Sequence, residues 1–391
     1  MVTPSAPEAP SVDVRPCEPA PEPAVDVVDI PTKATRLVSL DAFRGAVILL
    51  MLVVNNAAVD TETPVQLTHA GWNLGLHAAD LVFPWFLFCV GVSMPFSLGS
   101  RIERGRSKLG FVWKAFVRGI TLMAAGMFID CAINKQLEFS MGILQLIGVS
   151  SFLAALVYLG PKFFRPVAAV LFLGGYAAAI MNLPFPGGAA GTFEENRNLI
   201  HHFDVTYLLA YKMDGLLAAI PAAGLILFGT IMGDVLRNRS WRDSAKLVVL
   251  AISGLVFLLA GDMLSVFVAF NKPVCTPSYL MVAGGTGAIV LAAFLLVVDV
   301  FRLQRLAFPL VVLGSNAIAA YVFPILFKVM VLQVWKVSTP KGNLSLQQAY
   351  LDWLKLNYGL IHGGWTYTAT YIGVWWILLA VMHQKRMFLR L

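Results

Sequence analysis

Between residues 41 and 80 the sequence gathers the side chains best suited to chemistry: Asp41, Arg44, Asn55, Asn56, His69, Trp72, Asn73, His77 and Asp80. Histidine ordinarily titrates near pH ~6.5, so it can take a proton from a reacting amine or hydroxyl, or carry a group as a nucleophile. His69 is the candidate for that work. The plain alternative for a loop histidine is a solvated or interfacial side chain. Asp80 could orient a histidine, hold an ammonium group, or cap the helix that it opens.

Two apolar segments, near 38–58 and 78–98, bracket these residues. Each has the ~20 residues needed to cross ~30 Å of hydrocarbon. Ionisable groups in or beside such a span are costly, so each is a functional candidate. Arg44 and Asn55 are eleven residues apart. That is about three helical turns, so they share one face and lie ~16 Å apart along the axis. Ser39 is placed to cap the first helix, and Asp41 in its first turn complements the dipole.

The whole chain fits that setting. Of its 391 residues 58% are hydrophobic and only 13% charged, half the charged share of an ordinary soluble protein. The expected fold class is all-α: a polytopic helical membrane protein embedded in a lipid bilayer. Ten spans are expected, near 38–58, 78–98, 113–132, 142–160, 166–182, 215–236, 246–269, 278–300, 308–332 and 367–383. Every even-numbered exit is basic: Arg101, Arg104, Arg106 and Lys108; Lys162 and Arg165; Arg237, Arg239, Arg242 and Lys246; Arg302 and Arg305; Lys385, Arg386 and Arg390. The positive-inside bias then puts both termini in the cytoplasm and the His69 loop outside. Residues 1–35, rich in Pro, Ala and acidic residues, read as a disordered cytoplasmic tail ahead of a membrane domain over 36–391. No signal peptide is expected there. Residues 333–366 have room for a helix lying in the interface.

The net charge of +7 is accounted for by short basic loops, and nucleic-acid binding is not expected. Cys17, Cys89, Cys131 and Cys275 show no metal-ligand spacing, so no metal is expected; a disulfide between Cys131 and Cys275 stays open.

SLDAFRG at 39–45, VVNN at 53–56, HAGWN at 69–73, ADLVFPWFLFCVG at 79–91 and GVSM at 91–94, in that order, resemble the transmembrane acyltransferase family typified by heparan-α-glucosaminide N-acetyltransferase. GILQ at 142–145, DGLLAAIP at 214–221, GSNAI at 314–318 and the closing KRMFLRL extend the likeness. The resemblance implies an integral membrane enzyme that moves an acetyl group from acetyl-CoA, its co-substrate, to an amino sugar. In the family pattern a histidine three residues before Trp-Asn is catalytic, and His69 stands there before Trp72 and Asn73. The linker between Asn73 and Asp80 is one residue longer than usual and adds His77, the reserve candidate. Asn55 matches the family's asparagine at the outer end of the first span. It could donate to a thioester carbonyl as charge develops, or bond a neighbouring helix. Trp72 could stack on a sugar face or anchor in the interface. Arg44, Lys114 and Arg118 are the candidates for the CoA phosphates. Gln145 matches the family's GVLQR-like run, with Leu146 where an arginine is often found, and with Asn316 it joins the candidates for the CoA site. Asn316 is a polar group in an apolar run, for packing or for lining a tunnel.

The resulting expectation is an acetyltransferase in a bacterial inner membrane, taking acetyl-CoA from the cytoplasm and serving an external amino sugar or glycan. A homodimer stays open. The rival is a secondary transporter of sugars or lipid-linked glycans, although no internal repeat is evident. A receptor or scaffold without chemistry is the third reading, which the embedded charges disfavour.

Overall fold

The computed structural model describes residues 37–99, 107–137, 139–340 and 342–389. The expected tail over 1–35, the loop arginines Arg101, Arg104 and Arg106, and Arg390 lie outside the described residues.

The described chain is helical almost throughout. The helices are α1 (Val38–Asn56), α2 (Ala78–Met94), α3 (Lys108–Asn134), α4 (Ile143–Tyr158), α5 (Phe164–Asn182), the short α6 (Leu199–Phe203), α7 (Ala219–Arg237), α8 (Asp243–Ser265), α9 (Pro277–Phe294), α10 (Gln304–Ser315), α11 (Ala317–Phe327), α12 (Leu346–Tyr358) and α13 (Leu360–Gln384). Two antiparallel hairpins interrupt the loops: β1 (Phe193–Glu194) with β2 (Arg197–Asn198), and β3 (Lys336–Thr339) with β4 (Gly342–Ser345). Within hydrocarbon a helix satisfies its own backbone polar groups, which is why long apolar runs take this form.

Among the described residues, eight helices are long and apolar enough to cross a membrane, and α10 with α11 makes a ninth if counted as one bent span. The 16-residue apolar helix α4 falls at the place of the fourth expected span and is shorter than the rest. The expected span over 308–332 is not one continuous helix: α10 and α11 meet at a 65° bend around Asn316. Ser39 does not cap α1, because the helix already begins at Val38 and Ser39 is buried within its first turn. Asp41 does stand in that first turn. No disulfide joins Cys131 and Cys275; the Cys275 thiol instead donates to the Lys272 carbonyl. A helix does form in the stretch over 333–366: α12, on which Trp353, Leu356 and Tyr358 are exposed.

The core lies where α1, α2, α7 and α9 meet, around Phe43, Phe88, Leu225, Ile226, Tyr279 and Leu280, all essentially inaccessible. Lipid is as apolar as leucine, so helix contacts here depend on close packing and small residues rather than on burial alone. Gly45 of α1 and Gly314 of α10 show this. A Cβ on Gly45 would strike the Leu310 carbonyl, and one on Gly314 would strike the Asp41 carbonyl. The missing side chains let the two backbones touch.

The loops following α1, α5, α8 and α11 converge. Trp72 packs on Phe193, Asn73 bonds Asn271, and Lys355 pairs with Asp60 at 2.7 Å. These contacts set one end of the bundle and bring residues distant in sequence to the His69 loop.

Gly45→Ala should therefore act as an overpacking change at the α1–α10 contact, costing about 1–3 kcal/mol. A thermal-unfolding midpoint in detergent equal to the parent's would show that the two backbones are not in close contact.

Candidate active site

Asp80 opens α2, and its side chain is buried to 2% exposure, against 53% for His69 and 29% for Lys272. A buried carboxylate is stable only with its acceptor sites filled. Here both oxygens are used. Oδ2 accepts from the backbone N–H groups of Ala70 (3.1 Å) and His77 (3.2 Å). Oδ1 faces His69 Nδ1 at 2.8 Å and Lys272 Nζ at 3.5 Å. Tyr279 also donates to the Asp80 backbone carbonyl at 2.6 Å. Of the three roles open to Asp80, the contacts of helix capping and of histidine orientation are both present, one on each oxygen.

An ionised carboxylate only accepts, so the proton of His69 belongs on Nδ1. In the neutral ring Nε2 then carries the free lone pair. Half of the His69 side chain remains accessible, and it lines a cavity of about 710 Å³, part of it open to solvent. Asn55, Lys272 and Tyr321 are the other polar groups on that wall. The rest is apolar, with Met51, Phe83 and Ile147 among the lining residues.

His77 is turned elsewhere. Its Nδ1 donates to the Thr68 carbonyl at 3.0 Å, while its backbone caps α2 against Asp80. The longer linker therefore ends in a capping histidine, and it is His69 that faces the cavity. Trp72 and Asn73 both donate to the Phe193 carbonyl, at 3.4 and 3.3 Å. They tie the His69 loop to β1 and are absent from the cavity wall.

A second cavity, of about 660 Å³, adjoins the first. Phe86, Ile147 and Ile318 line both, so the two cavities share an apolar stretch of wall. Arg44, Ser93 and Arg118 supply its polar wall. Arg44 donates to Ser93 Oγ at 2.5 Å and pairs with Asp41 at 3.3 Å. The Nε of Arg118 is buried without a hydrogen-bond partner, a donor that an anionic group would satisfy. One face of α1 runs along both cavities: Arg44 at one end, then Val47, Ile48, Met51 and Val54, and Asn55 at the other. This is the helical repeat expected of a single stripe. The adjacent Asn56 points away, donating to Leu52 O and accepting from Lys328.

Three sequence candidates are placed elsewhere. Lys114 is exposed and lies on neither cavity wall. Gln145 is buried between α3 and α4, donating to Asp130 at 2.7 Å. Asn316 is also buried, with both ends of its amide engaged: Nδ2 donates to Met387 O and Oδ1 accepts from Leu389 N. Of the two readings open for Asn316, this is packing: it straps the C-terminal segment to the break between α10 and α11. Its neighbours Gly314, Ser315, Ala317 and Ile318 line the Arg44–Arg118 cavity instead.

Lys272 was not a sequence candidate. It stands 203 residues from His69, in the loop between α8 and α9, and burial pushes its ammonium below the usual lysine range while Asp80 partly opposes that shift. The only signal in the sequence was a single cation in a loop that the charge pattern left nearly neutral, no more telling than Lys135 or Lys212.

The chain is similar to known proteins over a stretch that includes Arg44, Asn55, His69, Asp80 and Arg118. A family model described as "Heparan-alpha-glucosaminide N-acetyltransferase, catalytic" matches residues 36–271. Heparan-alpha-glucosaminide N-acetyltransferase of Mus musculus is 26% identical over 360 residues, covering 74% of this chain and 53% of that protein. The Homo sapiens protein of the same name is 37% identical over 141 residues, covering 34% of this chain and 20% of that protein. The chain thus spans at most about half the length of these curated relatives. With the family model matching well over half of its residues, the chain belongs to the heparan-alpha-glucosaminide N-acetyltransferase catalytic family.

Proposed function

We propose that this integral membrane protein is an acetyltransferase that takes acetyl-CoA at the Arg44–Arg118 end and passes the acetyl group to an amino sugar or glycan at the His69 end. The observation that carries this reading is the pair of adjoining cavities, with cations at one end and an Asp80-held histidine at the other. Phosphates suit guanidinium donors, and the unsatisfied Nε of Arg118 fits such a group. The apolar wall that the two cavities share suits the uncharged acyl-bearing arm of the donor. At the far end the acceptor's amine nitrogen bonds to the acyl carbon and the carbon–sulfur bond breaks. His69 Nε2 takes the proton from the attacking amine and returns it to the departing thiolate. Asp80 keeps the ring in the tautomer that this requires. Direct transfer and passage through an acyl-histidine both fit this geometry.

Sidedness completes the proposal. The basic exits put the Arg44 end in the cytoplasm, where acetyl-CoA is made, and the His69 end outside. A bacterial inner membrane is the proposed location. A transporter is the second reading, because the 65° break at Asn316 is of the kind found in the discontinuous helices of secondary transporters. Cleavage of the thioester by purified protein separates the two, since a transporter leaves acetyl-CoA intact.

His69→Ala should lower acetyl transfer by roughly 10²–10⁴-fold, the usual contribution of a general base, while CoA binding in the same preparation persists. Near-parental transfer in that variant overturns the assignment of His69. Arg118→Gln should raise the KM for acetyl-CoA by roughly 10- to 150-fold, the equivalent of one charged hydrogen bond, and leave the KM for the acceptor little changed. Equal CoA affinity in variant and parent would return Arg118 to a packing role. A cysteine placed at Thr61 should react with an impermeant reagent in intact cells, and one at Ser107 only after permeabilisation. The reverse pattern would rule out transfer from cytoplasm to exterior.

A further inference from the structure

Lys272 is held too firmly, and too near the reacting end of the cavity, to be an ordinary loop cation. The loop that carries it is fixed from several sides. Asn271, 2% exposed, accepts from Val274 N and donates to Asn73 Oδ1, and its own N–H donates to Thr276 Oγ1. The Asn73 contact joins the Lys272 loop directly to the segment bearing His69. Lys272 then projects onto the wall that it shares with His69 and Asn55.

Its position relative to the imidazole is informative. Nζ lies 3.0 Å from His69 Nδ1 and 3.3 Å from Nε2. A nitrogen almost equidistant from both ring nitrogens is off the lone-pair axis of each. The ammonium therefore does not occupy the Nε2 lone pair, which stays open towards an acceptor. Its contact with Nδ1 is one of proximity, because the proton on Nδ1 is directed at Asp80.

We infer that Lys272 is a catalytic residue of the transfer reaction, its ammonium facing the acyl oxygen and stabilising the negative charge that develops there. The inference rests on the acetyltransferase reading above. As the acceptor nitrogen bonds to the acyl carbon, the carbonyl π pair moves onto oxygen. That oxygen is met by the Lys272 cation, with the Asn55 amide on the same wall as a second donor. The pair returns to carbon as the carbon–sulfur bond breaks. Protons travel only between acceptor, His69 and the leaving thiolate, and Lys272 keeps its own. Preorganised donors of this type act most strongly where the surrounding wall is apolar, as it is here.

The pH dependence follows from the groups that face Lys272. These are Asp80 at the start of α2, His69 in the preceding loop, Cys275 in its own loop, and Tyr321 of α11 across the cavity. The Cys275 thiol is pushed up to about 12 by burial and so is uncharged in the working range. Burial lowers the Lys272 pKa, partly offset by Asp80. The cation is present below that pKa and lost above it, so transfer should decline with rising pH before the ordinary lysine range is reached.

The test is to measure kcat, KM and CoA affinity from pH 6 to 11 for the parent, Lys272→Met and Lys272→Arg in proteoliposomes, with His69→Ala in parallel. Lys272→Met should lower kcat by roughly 10²–10³-fold, the loss seen when one oxyanion donor is removed, with CoA affinity unchanged. Lys272→Arg should restore much of kcat and displace the alkaline decline to higher pH, because guanidinium stays protonated. A role confined to folding would not move that limb. Near-parental kcat in Lys272→Met, or coincident alkaline limbs in parent and Lys272→Arg, overturns the inference. Should Lys272→Met fail to bind CoA, the arginine limb alone decides. If His69→Ala loses transfer while Lys272→Met keeps it, only the Lys272 assignment falls. If His69→Ala keeps transfer, the assignment of His69 falls; if the parent itself leaves acetyl-CoA intact, the underlying reading falls.

Discussion

A carboxylate buried at the head of a membrane helix needs partners, and the candidate site is built from the partners of Asp80. Removing one member of a buried charge pair typically costs several kcal/mol, so the groups around Asp80 constrain one another strongly. Two backbone N–H groups fix the loop's path at Ala70 and His77, and the remaining oxygen aligns His69 with Lys272 nearby. One interaction thus ends a loop, begins a helix and sets the tautomer of a histidine. Tyr279, wholly buried in α9, extends the same network into the core.

The second constraint is dielectric. Arg44 and Arg118 line one cavity, His69 and Lys272 line the other with Asp80 bonded behind them, and the two share an apolar stretch of wall. Separating the two charged ends with Phe86, Ile147 and Ile318 keeps each group near its own partners. The close approach of α1 to α10 at Gly45 and Gly314 holds the striped face of α1 in place along both cavities.

The break at Asn316 gives the Arg44–Arg118 cavity its irregular wall. Backbone that leaves helical geometry inside a membrane must be satisfied by other protein groups. Here the Asn316 amide and the C-terminal segment do this mutually, and Ser315 faces His383 at 3.0 Å. Leu389, brought in by that strap, lines the cavity beside Arg44 and Arg118. Asn316 therefore shapes the cavity through the backbone that it holds, without lining it.

The sequence by itself determined the parts that depend on local periodicity and composition. Runs of apolar residues place the long helices, since a span must be long, apolar and helical to exist in lipid; the start of α13 lies seven residues ahead of the expected 367, and the break at Asn316 left no mark in the apolar run. The helical repeat also put Arg44 and Asn55 on one face of α1, and both line the cavities. The nearby pairing of His69 with Asp80 was open to inference, because both belong to one loop-helix junction. What spacing could not supply was the direction of side chains that lack a periodic constraint. His69 and His77 are equivalent by type, and only folding shows that one faces the cavity and the other Thr68. Gln145 stood out by its match to a family run and Asn316 as a polar group in an apolar run, yet the Gln145 amide nitrogen is turned to Asp130 and the Asn316 amide is engaged by the C-terminal backbone. Lys272 was invisible for the opposite reason. A lone loop cation carries no pattern, and its place beside His69 exists only because the loop between α8 and α9 packs against one that precedes it by about half the chain. Tertiary structure decided that contact, because no local rule relates residues so far apart.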